Sequence, residues 1–382
     1  MADRPSAALA AVDRALADAR TASYDAAWAM PGAFYTDPVV LAAELDWLFR
    51  RQWICVGRVE EVASPGDFMA VDIGNEPVVV IRGVDGTLRA LSNVCRHRAM
   101  PLAAGKGNAG KGLLCPYHHW SYDTTGRLLG TPRLGARPDF AIADCRLPAF
   151  ALEEWLGFIF VCLDATAAPL APVLSELEER IRPYHFEQTR LRYVADEVWL
   201  CNWKHLVENF MEGYHLSTLH RETLHKVNPT RLCRHFPPGD GYFGYYAGFD
   251  PSLPRGQKGH PDLRPEQYDD CVMFAIPPGL LVGGAADYSS FLCVQPAGID
   301  RVRVKLGLIF YGEDWPEATV DWAVRLFQDT MAEDKTVLNE LGRGVRSGHY
   351  RPGPLAGPDF EGPVLDFFRY LARHLPALSI AP

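Results

Sequence analysis

The 382-residue sequence lacks a long apolar run and an excess of basic residues. Its longest mostly apolar stretch, 271–286, is interrupted by Pro277 and Pro278, so we expect no membrane-spanning helix. With 38 Lys and Arg against 47 Asp and Glu, the net charge is −9, which argues against a nucleic acid partner because phosphate binding needs a basic surface. The Ala-rich N-terminus carries charged residues throughout and does not resemble a signal peptide, so we expect a cytoplasmic protein.

Composition and turn residues divide the chain into segments of different character. Hydrophobic residues make up 48% and charged residues 22%, which excludes an intrinsically disordered chain. Short apolar runs separated by glycines between about 53 and 163 predict a small antiparallel β domain. An Ala/Pro-rich stretch at 165–172 indicates a boundary. Beyond it the pattern predicts a mobile loop region at 228–270, several strands, and helices at 202–220, 321–341 and 364–375. The predicted class is α+β.

Two cysteines and two histidines occur in two tight pairs, Cys95-Arg-His97 and Cys115-Pro-Tyr-His118. Each pair fits on one tight loop, and two such loops facing each other supply two thiolates and two imidazoles. That set suits zinc or a [2Fe–2S] cluster with mixed ligands. The C-x-H and C-x₂-H spacing together are uncommon in zinc fingers, which favours the cluster over zinc. Four unrelated residues would not be expected to fall into two tight pairs. His119 remains open as an alternative to His118.

A second group of polar residues lies in a segment that the pattern predicts to be helical. Glu208, Glu212 and His215 recur at i, i+4 and i+7 and would share one helical face. His220 would point away from that face unless the helix ends before it. Two histidines and one carboxylate form the facial triad of non-haem Fe(II) oxygenases. Spacing alone does not choose between His220 and His225, and a polar helix with satisfied histidines is the alternative.

Taken in this order, the two groups resemble the catalytic α subunit of Rieske non-haem iron oxygenases of the aromatic-ring-hydroxylating type. The match covers about Tyr35 to about Leu371, and Ala99 replaces a glycine that is usual in the family. The motifs that carry it are Cys95-Arg-His97-Arg98, Cys115-Pro-Tyr-His118, Asn202-Trp-Lys204, Glu208-Asn209 and Glu212-Gly-Tyr-His215-x₄-His220. The resemblance implies N-terminal helices at 1–45 that pack with the catalytic domain, a Rieske β domain at 46–165 and a helix-grip catalytic domain at 166–382.

The resemblance also implies roles by position. The [2Fe–2S] ligands would be Cys95, His97, Cys115 and His118. The mononuclear Fe(II) would be bound by His215, His220 and Asp334, with Asp329 as the rival third ligand. Glu212 and Asn209 are the implied catalytic residues, and Glu212 would bridge the iron site to a cluster histidine of a neighbouring subunit in a homotrimer.

The implied activity is that of a terminal oxygenase component. It would use O₂ and electrons that a flavin/iron–sulfur reductase, with or without a ferredoxin, takes from NAD(P)H. Glutamate at position 212 resembles the subgroup acting on carnitine and glycine betaine. This favours monooxygenation or oxidative dealkylation of a small quaternary ammonium, N-methyl or N/O-alkyl substrate. The alternative is hydroxylation or cis-dihydroxylation of an aromatic compound. A cluster-only electron carrier and a zinc-binding structural protein are more remote alternatives.

Substrate-pocket candidates lie on the strands predicted after residue 270. They are Met273, Phe274, Leu281, Val282, Tyr288 and Phe291. Aromatic rings among them could hold a quaternary ammonium group through cation–π contacts, or a flat arene. An ordinary hydrophobic core accounts for the same pattern equally well.

Overall fold

The computed structural model describes residues 7–135, 137–254, 256 and 258–380. It divides the chain into two compact units. One is formed by Phe49–Pro169, and the other by the segment up to Leu48 together with the chain from Leu170 onwards. Both helices and strands are present, as the α+β prediction requires. None of the helices in the described part of the chain is long and apolar enough to cross a membrane.

The Phe49–Pro169 unit is built from antiparallel strands. In the described residues these are β1 (Ile54–Arg58), β2 (Asp67–Ile73), β3 (Glu76–Arg82), β4 (Leu88–Ser92), β5 (Lys106–Asn108), β6 (Gly112–Leu114), β7 (Ser121–Asp123), β8 (Leu128–Gly130), β9 (Ala149–Trp155) and β10 (Phe158–Cys162). Seven form a sheet in the order β1-β10-β9-β4-β3-β2-β5, and three form a smaller sheet, β6-β7-β8. The two-residue turn between β2 and β3 contains Gly74 at φ +58°, a left-handed conformation that glycine adopts without steric cost.

The larger unit combines helices with one seven-stranded sheet. Its helices are α1 (Ala7–Thr21), α2 (Ala33–Thr36), α3 (Pro38–Glu44), α4 (Ser175–Ile181), α5 (Trp203–Phe210), α6 (Glu317–Gly344) and α7 (Pro358–His374), and a π-helical turn at Leu45–Phe49 follows α3. Its strands are β11 (Thr189–Trp199), β12 (Cys233–Phe236), β13 (Phe243–Gly248), β14 (Asp270–Ile276), β15 (Leu280–Gly284), β16 (Tyr288–Gly298) and β17 (Arg301–Tyr311). The sheet order is β11-β17-β16-β15-β14-β13-β12, antiparallel throughout.

The two faces of this sheet pack against different elements. The helix-side face carries the row Tyr245–Met273–Gly283–Ser290–Leu308, paired across five strands. On that face Phe243, two residues before Tyr245, packs its ring 5.9 Å from Phe367 of α7.

The opposite face carries the row Gly244–Phe274–Val282–Phe291–Gly307. Here Phe274 meets the ring of Phe186, which lies in the short turn after α4, at 6.0 Å. The Phe291 ring lies over Gly307, where a Cβ atom would come within 2.2 Å of it.

Helix α5 is much shorter than the helix predicted over 202–220. It begins where the Asn202 side chain accepts a hydrogen bond from the Lys204 N–H, and it ends at Phe210. The N–H of Gly213 donates outside the helix, to the Phe360 carbonyl at 2.9 Å. A Cβ at Gly213 would lie 2.4 Å from the Cys233 Sγ, so glycine permits this close approach. The long-helix prediction was therefore wrong, because tertiary packing ends the helix early.

The region 228–270 is also more ordered than predicted. Strands β12 and β13 lie within it and continue the sheet beyond β14. Its many Pro and Gly residues masked the alternation of Phe243 and Tyr245, which is too short to stand out in a sequence.

Candidate metal centres and active site

The first Cys–His pair, Cys95 and His97, lies on a turn after β4. The Cys95 N–H donates to the Met100 carbonyl at 2.9 Å, and the Ala99 N–H donates to the Cys95 carbonyl at 3.0 Å. Ala99 has φ +61°, a left-handed conformation that disfavours any residue with a Cβ. The turn needs this conformation to bring the chain back, which accounts for the glycine found here in the related family.

The second pair lies on the turn between β6 and β7 and repeats the same hydrogen bonds. The Cys115 N–H donates to the Trp120 carbonyl at 2.8 Å, and the His119 N–H donates to the Cys115 carbonyl at 3.0 Å. His119 has φ +59° and an exposed side chain. It is therefore the counterpart of Ala99, not of a ligand, and the alternative that placed His119 in the cluster loses support.

The four predicted cluster residues come together between these turns. The rings of His97 and His118 lie 4.6 Å apart at 76°, and Trp120 stacks on His97 at 4.8 Å. Both cysteines are buried. Burial, ahead of the opposing hydrogen bonds, raises the pKa of the Cys95 thiol.

The donor geometry fits a two-metal cluster better than a single zinc ion. Four ligands around one zinc lie roughly 3.3–3.8 Å from each other. Among the described residues, no three of these four bring their donor atoms within 4.8 Å of one another. The Nδ1 atom of His118 is buried and has no hydrogen-bond partner in the described structure, as a metal ligand requires. The residues fit a [2Fe–2S] group held by Cys95, His97, Cys115 and His118.

The Tyr122 hydroxyl contacts the turn that carries Cys95. Its hydroxyl accepts a hydrogen bond from the Arg96 N–H at 3.0 Å and lies 3.4 Å from the Cys95 Sγ. Because the hydroxyl oxygen already accepts from Arg96, its proton is free to point at the sulfur. Burial, then the contact with Cys95, raises the pKa of Tyr122, so that this proton is retained.

A second donor set is assembled from the loop after α5 and from α6. The Nε2 atoms of His215 and His220 lie 3.1 Å apart. The Oδ1 of Asp334 lies 3.1 Å from the Nε2 of His220 and 3.6 Å from that of His215. Three donors about 3 Å apart form one face of a coordination octahedron, the arrangement of the two-His, one-carboxylate iron site. His220 and Asp334 are buried.

Carboxylates contact the Nδ1 atoms of both imidazoles, across each ring from its Nε2. Glu212 contacts the Nδ1 of His215 through one oxygen, and its other oxygen accepts from the His215 N–H at 3.1 Å. Glu333 accepts from the Nδ1 of His220 at 2.6 Å and from the Thr223 hydroxyl at 2.6 Å. Such contacts fix each ring so that its Nε2 faces the metal position.

Hydrogen bonding orients the Asp334 carboxylate and raises the pKa of the His220 ring. The Asn209 amide donates to the Oδ1 of Asp334 at 3.2 Å. Burial lowers the pKa of His220, but the hydrogen bonds to Asp334 and Glu333 outweigh it, and the pKa is raised. A metal bound at Nε2 would displace a proton from that nitrogen.

The rival ligands lie elsewhere. His225 is exposed, and its Nδ1 contacts the Ser217 hydroxyl at 2.9 Å. Asp329 is exposed on α6, one turn before the triad carboxylate. Only Asp334 joins the two histidines among the described residues.

Glu208 does not share the face predicted for it with Glu212 and His215. The end of α5 separates it from them, and the Tyr35 hydroxyl of α2 lies 3.0 Å from both of its carboxylate oxygens. Burial raises the pKa of Glu208 to about 8. The partner of Glu208 is Tyr35, a residue that its sequence position did not single out.

The pocket candidates divide between the two faces of the sheet because residues alternate along strands, and the pocket itself stays a prediction. Leu281 lies on the helix-side face, as do Met273 and Tyr288, and the hydroxyl of Tyr245 on that face lies 3.3 Å from the Glu212 carbonyl. The remaining candidates lie on the opposite face, buried against the α4 side of the sheet: Phe274, Val282 and Phe291. Tyr245 does not share their face.

Sequence reasoning also missed the buried ion pair that anchors α5. The Lys204 ammonium contacts the Glu44 carboxylate of α3, and the Trp203 indole N–H donates to the same carboxylate at 2.8 Å. Both charged side chains are almost fully buried. The only sequence signal was a lysine inside an apolar helix.

Two protein-family models match the chain. The model of the Rieske [2Fe-2S] domain matches residues 52–150. The model of the ring hydroxylating alpha subunit (catalytic domain) matches residues 184–377.

Two curated relatives match along most of their lengths. The glycine betaine monooxygenase oxygenase subunit of Chromohalobacter salexigens is 35% identical over 410 residues, covering 94% of this chain and 90% of the relative. The carnitine monooxygenase oxygenase subunit of Acinetobacter pittii is 27% identical over 340 residues, covering 86% and 88%.

Solved structures confirm the predicted fold. The quaternary ammonium Rieske monooxygenase CntA in complex with gamma-butyrobetaine superposes with a TM-score of 0.80 at 23% identity, covering 95% of this chain and 99% of that one. Naphthalene 1,2-dioxygenase from Rhodococcus sp. gives 0.79 at 20% identity, covering 98% and 99%. The chain therefore belongs to the ring-hydroxylating α-subunit family of Rieske oxygenases and is an oxidoreductase with a Rieske domain followed by a catalytic domain.

Proposed function

We propose that this chain is the terminal oxygenase of a multicomponent system that monooxygenates or oxidatively demethylates a small quaternary ammonium or N-methyl compound. The observation that carries the proposal is the triad of His215, His220 and Asp334, whose donor atoms lie 3.1–3.6 Å apart. The two curated relatives named above act, by their names, on glycine betaine and carnitine, which supports the substrate class.

The chain's own residues would divide the work between them. Cys95, His97, Cys115 and His118 would hold the Rieske cluster, and the triad would hold the mononuclear iron. When bound, these groups supply single-electron transfer and activation of O₂. The protein fixes the ligand orientation and excludes water.

Glu212 is the proposed acidic link between the two kinds of centre. It holds the Nδ1 of His215 with one oxygen and lies partly exposed at the surface of the loop. A side chain that contacts an iron ligand and also reaches solvent can accept a second hydrogen bond from a neighbouring chain. Asn209 would keep the Asp334 carboxylate oriented.

The substrate would lie on the helix-side face of the sheet. Tyr245 fixes this face to the triad loop through the Glu212 carbonyl. Small or flexible side chains follow it in the same row, at Met273, Gly283 and Ser290. Tyr288 and Phe310, stacked at 5.0 Å farther along this face, offer aromatic surface to a cationic ligand.

We further propose a reductase partner and a homotrimer. Three large apolar side chains are exposed beside the cluster turns: Met100 (39%), Leu114 (54%) and Tyr117 (55%). Exposed apolar side chains around a redox centre suit docking of another protein surface. A closed ring of identical chains would use this patch in every copy.

The test is reoxidation of anaerobically reduced holoenzyme by O₂ with one of two substrate pools. One pool contains quaternary and N-methyl amines, and the other contains aromatic acids and hydrocarbons. We expect faster loss of the reduced-cluster spectrum and release of formaldehyde only with the first pool. Acceleration only by the aromatic pool would replace the proposal with ring oxidation.

The Glu212→Gln variant makes the test specific. It should leave both metal sites occupied when iron is supplied in excess, while turnover is nearly lost, because the amide nitrogen that replaces one carboxylate oxygen can only donate and cannot accept from a second imidazole. Glu222→Gln, an exposed glutamate that pairs with Lys226, is the matched control and should turn over normally. Wild-type turnover by Glu212→Gln would contradict the link.

A further inference from the structure

One imidazole of the triad is held on both sides by consecutive residues of α6. The Nδ1 of His220 lies 2.6 Å from the Oε2 of Glu333, and its Nε2 lies 3.1 Å from the Oδ1 of Asp334. Glu333 and Asp334 are neighbours on one helix, whereas His220 lies on the loop after α5. The pair therefore fixes where this loop meets α6, provided that the Glu333 carboxylate is itself held in place.

Glu333 and Glu212 play the same part for the two imidazoles but are held differently. The Glu212 carboxylate accepts hydrogen bonds from backbone N–H groups of its own loop, those of Tyr214 and His215. Glu333 lies on a helix, and its side chain is 29% exposed against 14% for Glu212. A partly exposed glutamate on a helix gains rotamer entropy by turning into solvent unless a further group restrains it.

Thr223 supplies that restraint. Its hydroxyl donates to the Oε2 of Glu333 at 2.6 Å, and this is the oxygen that also contacts the Nδ1 of His220. In the part of the chain that the structure describes, these two side chains are the only ones that contact the Glu333 carboxylate through a hydrogen bond. Two donors that converge on one oxygen leave it little freedom to move.

The backbone of Thr223 closes these contacts into a ring. Its N–H donates to the His220 carbonyl at 3.2 Å. The ring runs from that carbonyl through the Thr223 N–H and hydroxyl to Glu333, and back to the Nδ1 of His220. Thr223 thus contacts the main chain of His220 directly and its imidazole through Glu333, and a rotation of the imidazole would break the ring.

The place of Thr223 in the chain offers an ordinary reason for a threonine, but the contacts do not support it. Thr223 lies at the N-cap of the helical turn Leu224–Lys226, where threonine is favoured because its side chain accepts a hydrogen bond from an N–H of the turn. In this turn, all of whose residues the structure describes, the Thr223 side chain makes no such bond. The residue is buried, and its hydroxyl is directed to Glu333 instead.

We propose that Thr223 is a positioning residue for the mononuclear metal. By holding Glu333 against the Nδ1 of His220, it keeps a proton on that nitrogen and leaves the Nε2 lone pair to the metal. The inference rests on the proposed function, because it requires His220 and Asp334 to be ligands. A carboxylate on the far nitrogen of a ligating imidazole fixes the tautomer and the ring orientation. The Thr223 hydroxyl acts one step further out, through Glu333.

The experiment measures how firmly the holoenzyme keeps its mononuclear iron. Each variant is loaded with Fe(II) and dialysed against a graded series of a ferrous chelator. Iron and sulfide are then counted per chain, so that the sulfide identifies the cluster iron. Glu333→Ala should lower the affinity for the mononuclear iron by about 10–100-fold, the usual loss on removal of a supporting residue. Thr223→Val keeps the shape of the side chain but removes its hydroxyl, and it should lower the affinity by a smaller factor, up to about tenfold.

Three further variants separate positioning from a general loss of structure. Thr223→Ser restores the hydroxyl and should keep iron as wild type does. Thr223→Val should have no further effect in a chain that already carries Glu333→Ala, because its action passes through Glu333. Thr218→Val is the matched control on the same loop. The exposed Thr218 hydroxyl donates to the His215 backbone carbonyl at 3.0 Å, so this variant should keep the wild-type amount of iron.

Asp334→Ala, measured in the same assay, distinguishes failure of this inference from failure of the triad. Iron retained by Asp334→Ala would contradict the triad itself, and the role of Thr223 with it. Iron lost by Asp334→Ala but retained by Thr223→Val would overturn the role of Thr223 alone. Additive losses in the double variant, or a Thr223→Ser variant that loses iron as Thr223→Val does, would overturn it as well, because the hydroxyl would not then act through Glu333.

Discussion

The two predicted iron centres are built in opposite ways. The cluster ligands lie on two turns of equal length, 95–100 and 115–120, that repeat the same pair of backbone hydrogen bonds around Cys95 and Cys115. The triad takes His215 and His220 from an irregular loop and Asp334 from α6. The first geometry is specified by local backbone conformation, and the second by the packing of distant elements.

This difference predicts how each centre fails. A turn held by its own hydrogen bonds tolerates changes elsewhere, whereas a triad held by side chains depends on each of its supports. Glu212, Glu333 and Asn209 each contact the side chain of one triad member and fix its orientation. We therefore expect the larger effects of substitution at the triad and the smaller ones at the turns.

The largest expected effect is that of Asp334→Ala. Removal of a ligand leaves two imidazoles, which should lower iron affinity by more than the about 10–100-fold lost on removal of a supporting residue. Iron analysis should show loss of the mononuclear iron, with cluster iron, sulfide and the visible spectrum retained.

Asp329→Ala is the matched control on the same helix. It removes an exposed aspartate one turn away and should leave both metal contents unchanged. Loss of mononuclear iron in this variant, and not in Asp334→Ala, would show that Asp329 is the third ligand.

The sequence therefore predicted the cluster site better than the triad. The two ligands of each pair are separated by only one or two residues, so the C-x-H and C-x₂-H motifs were visible without any knowledge of the fold. The spacing of His215 and His220 was visible too, but not the end of α5 that allows them to meet. Asp334 could be chosen over Asp329 only through family resemblance.

The pocket shows why the remainder was not predictable. Adjacent strand residues point to opposite faces, so Leu281 and Val282 could not both line one cavity. The side of the sheet that lies toward the triad is identified by Tyr245, whose hydroxyl donates to the Glu212 carbonyl. A one-residue difference in register inverts such an assignment, and register is set by tertiary pairing.

The next largest effect is the pH dependence of stability that Glu208 of α5 contributes. The Glu208 carboxyl, with a pKa of about 8 against an ordinary value near 4.5, keeps its proton in the folded chain while the unfolded chain releases it. The stability this contributes is complete below pH 4.5 and is lost as the pH rises to 8, by up to about 1.4 kcal/mol per pH unit.

Glu208→Gln, which is neutral throughout, should remove this dependence. Its melting temperature relative to wild type should rise steadily between pH 5 and pH 8. Glu340→Gln, an exposed glutamate on α6, should follow the wild-type curve. Parallel curves for Glu208→Gln and wild type would contradict the raised pKa.

A smaller effect is expected from Tyr122→Phe at the first cluster turn. The hydroxyl donates to the Cys95 sulfur, which stabilises the more negative, reduced cluster, so its removal should lower the reduction potential. A difference of about 1.4 kcal/mol corresponds to about 59 mV for a one-electron couple. Redox titration measures the shift, and Tyr117→Phe, at an exposed tyrosine, should show none.

The smallest effect tests whether the two cluster turns really share one conformation. Ala99 is exposed at φ +61°, where a Cβ costs about 1–2 kcal/mol and glycine costs nothing. Ala99→Gly recovers this cost but gives back about 0.4–1 kcal/mol of unfolded-chain entropy. We expect a net stabilisation between zero and about 1.6 kcal/mol, seen as a higher temperature for loss of the cluster spectrum. Ala104 is exposed and lies outside the left-handed region, so Ala104→Gly relieves no strain and only increases the entropy of the unfolded chain. This variant should lose the cluster spectrum at a lower temperature than wild type. If both variants lower it equally, the Cys95 turn is not strained, and the glycine usual in the family serves another purpose.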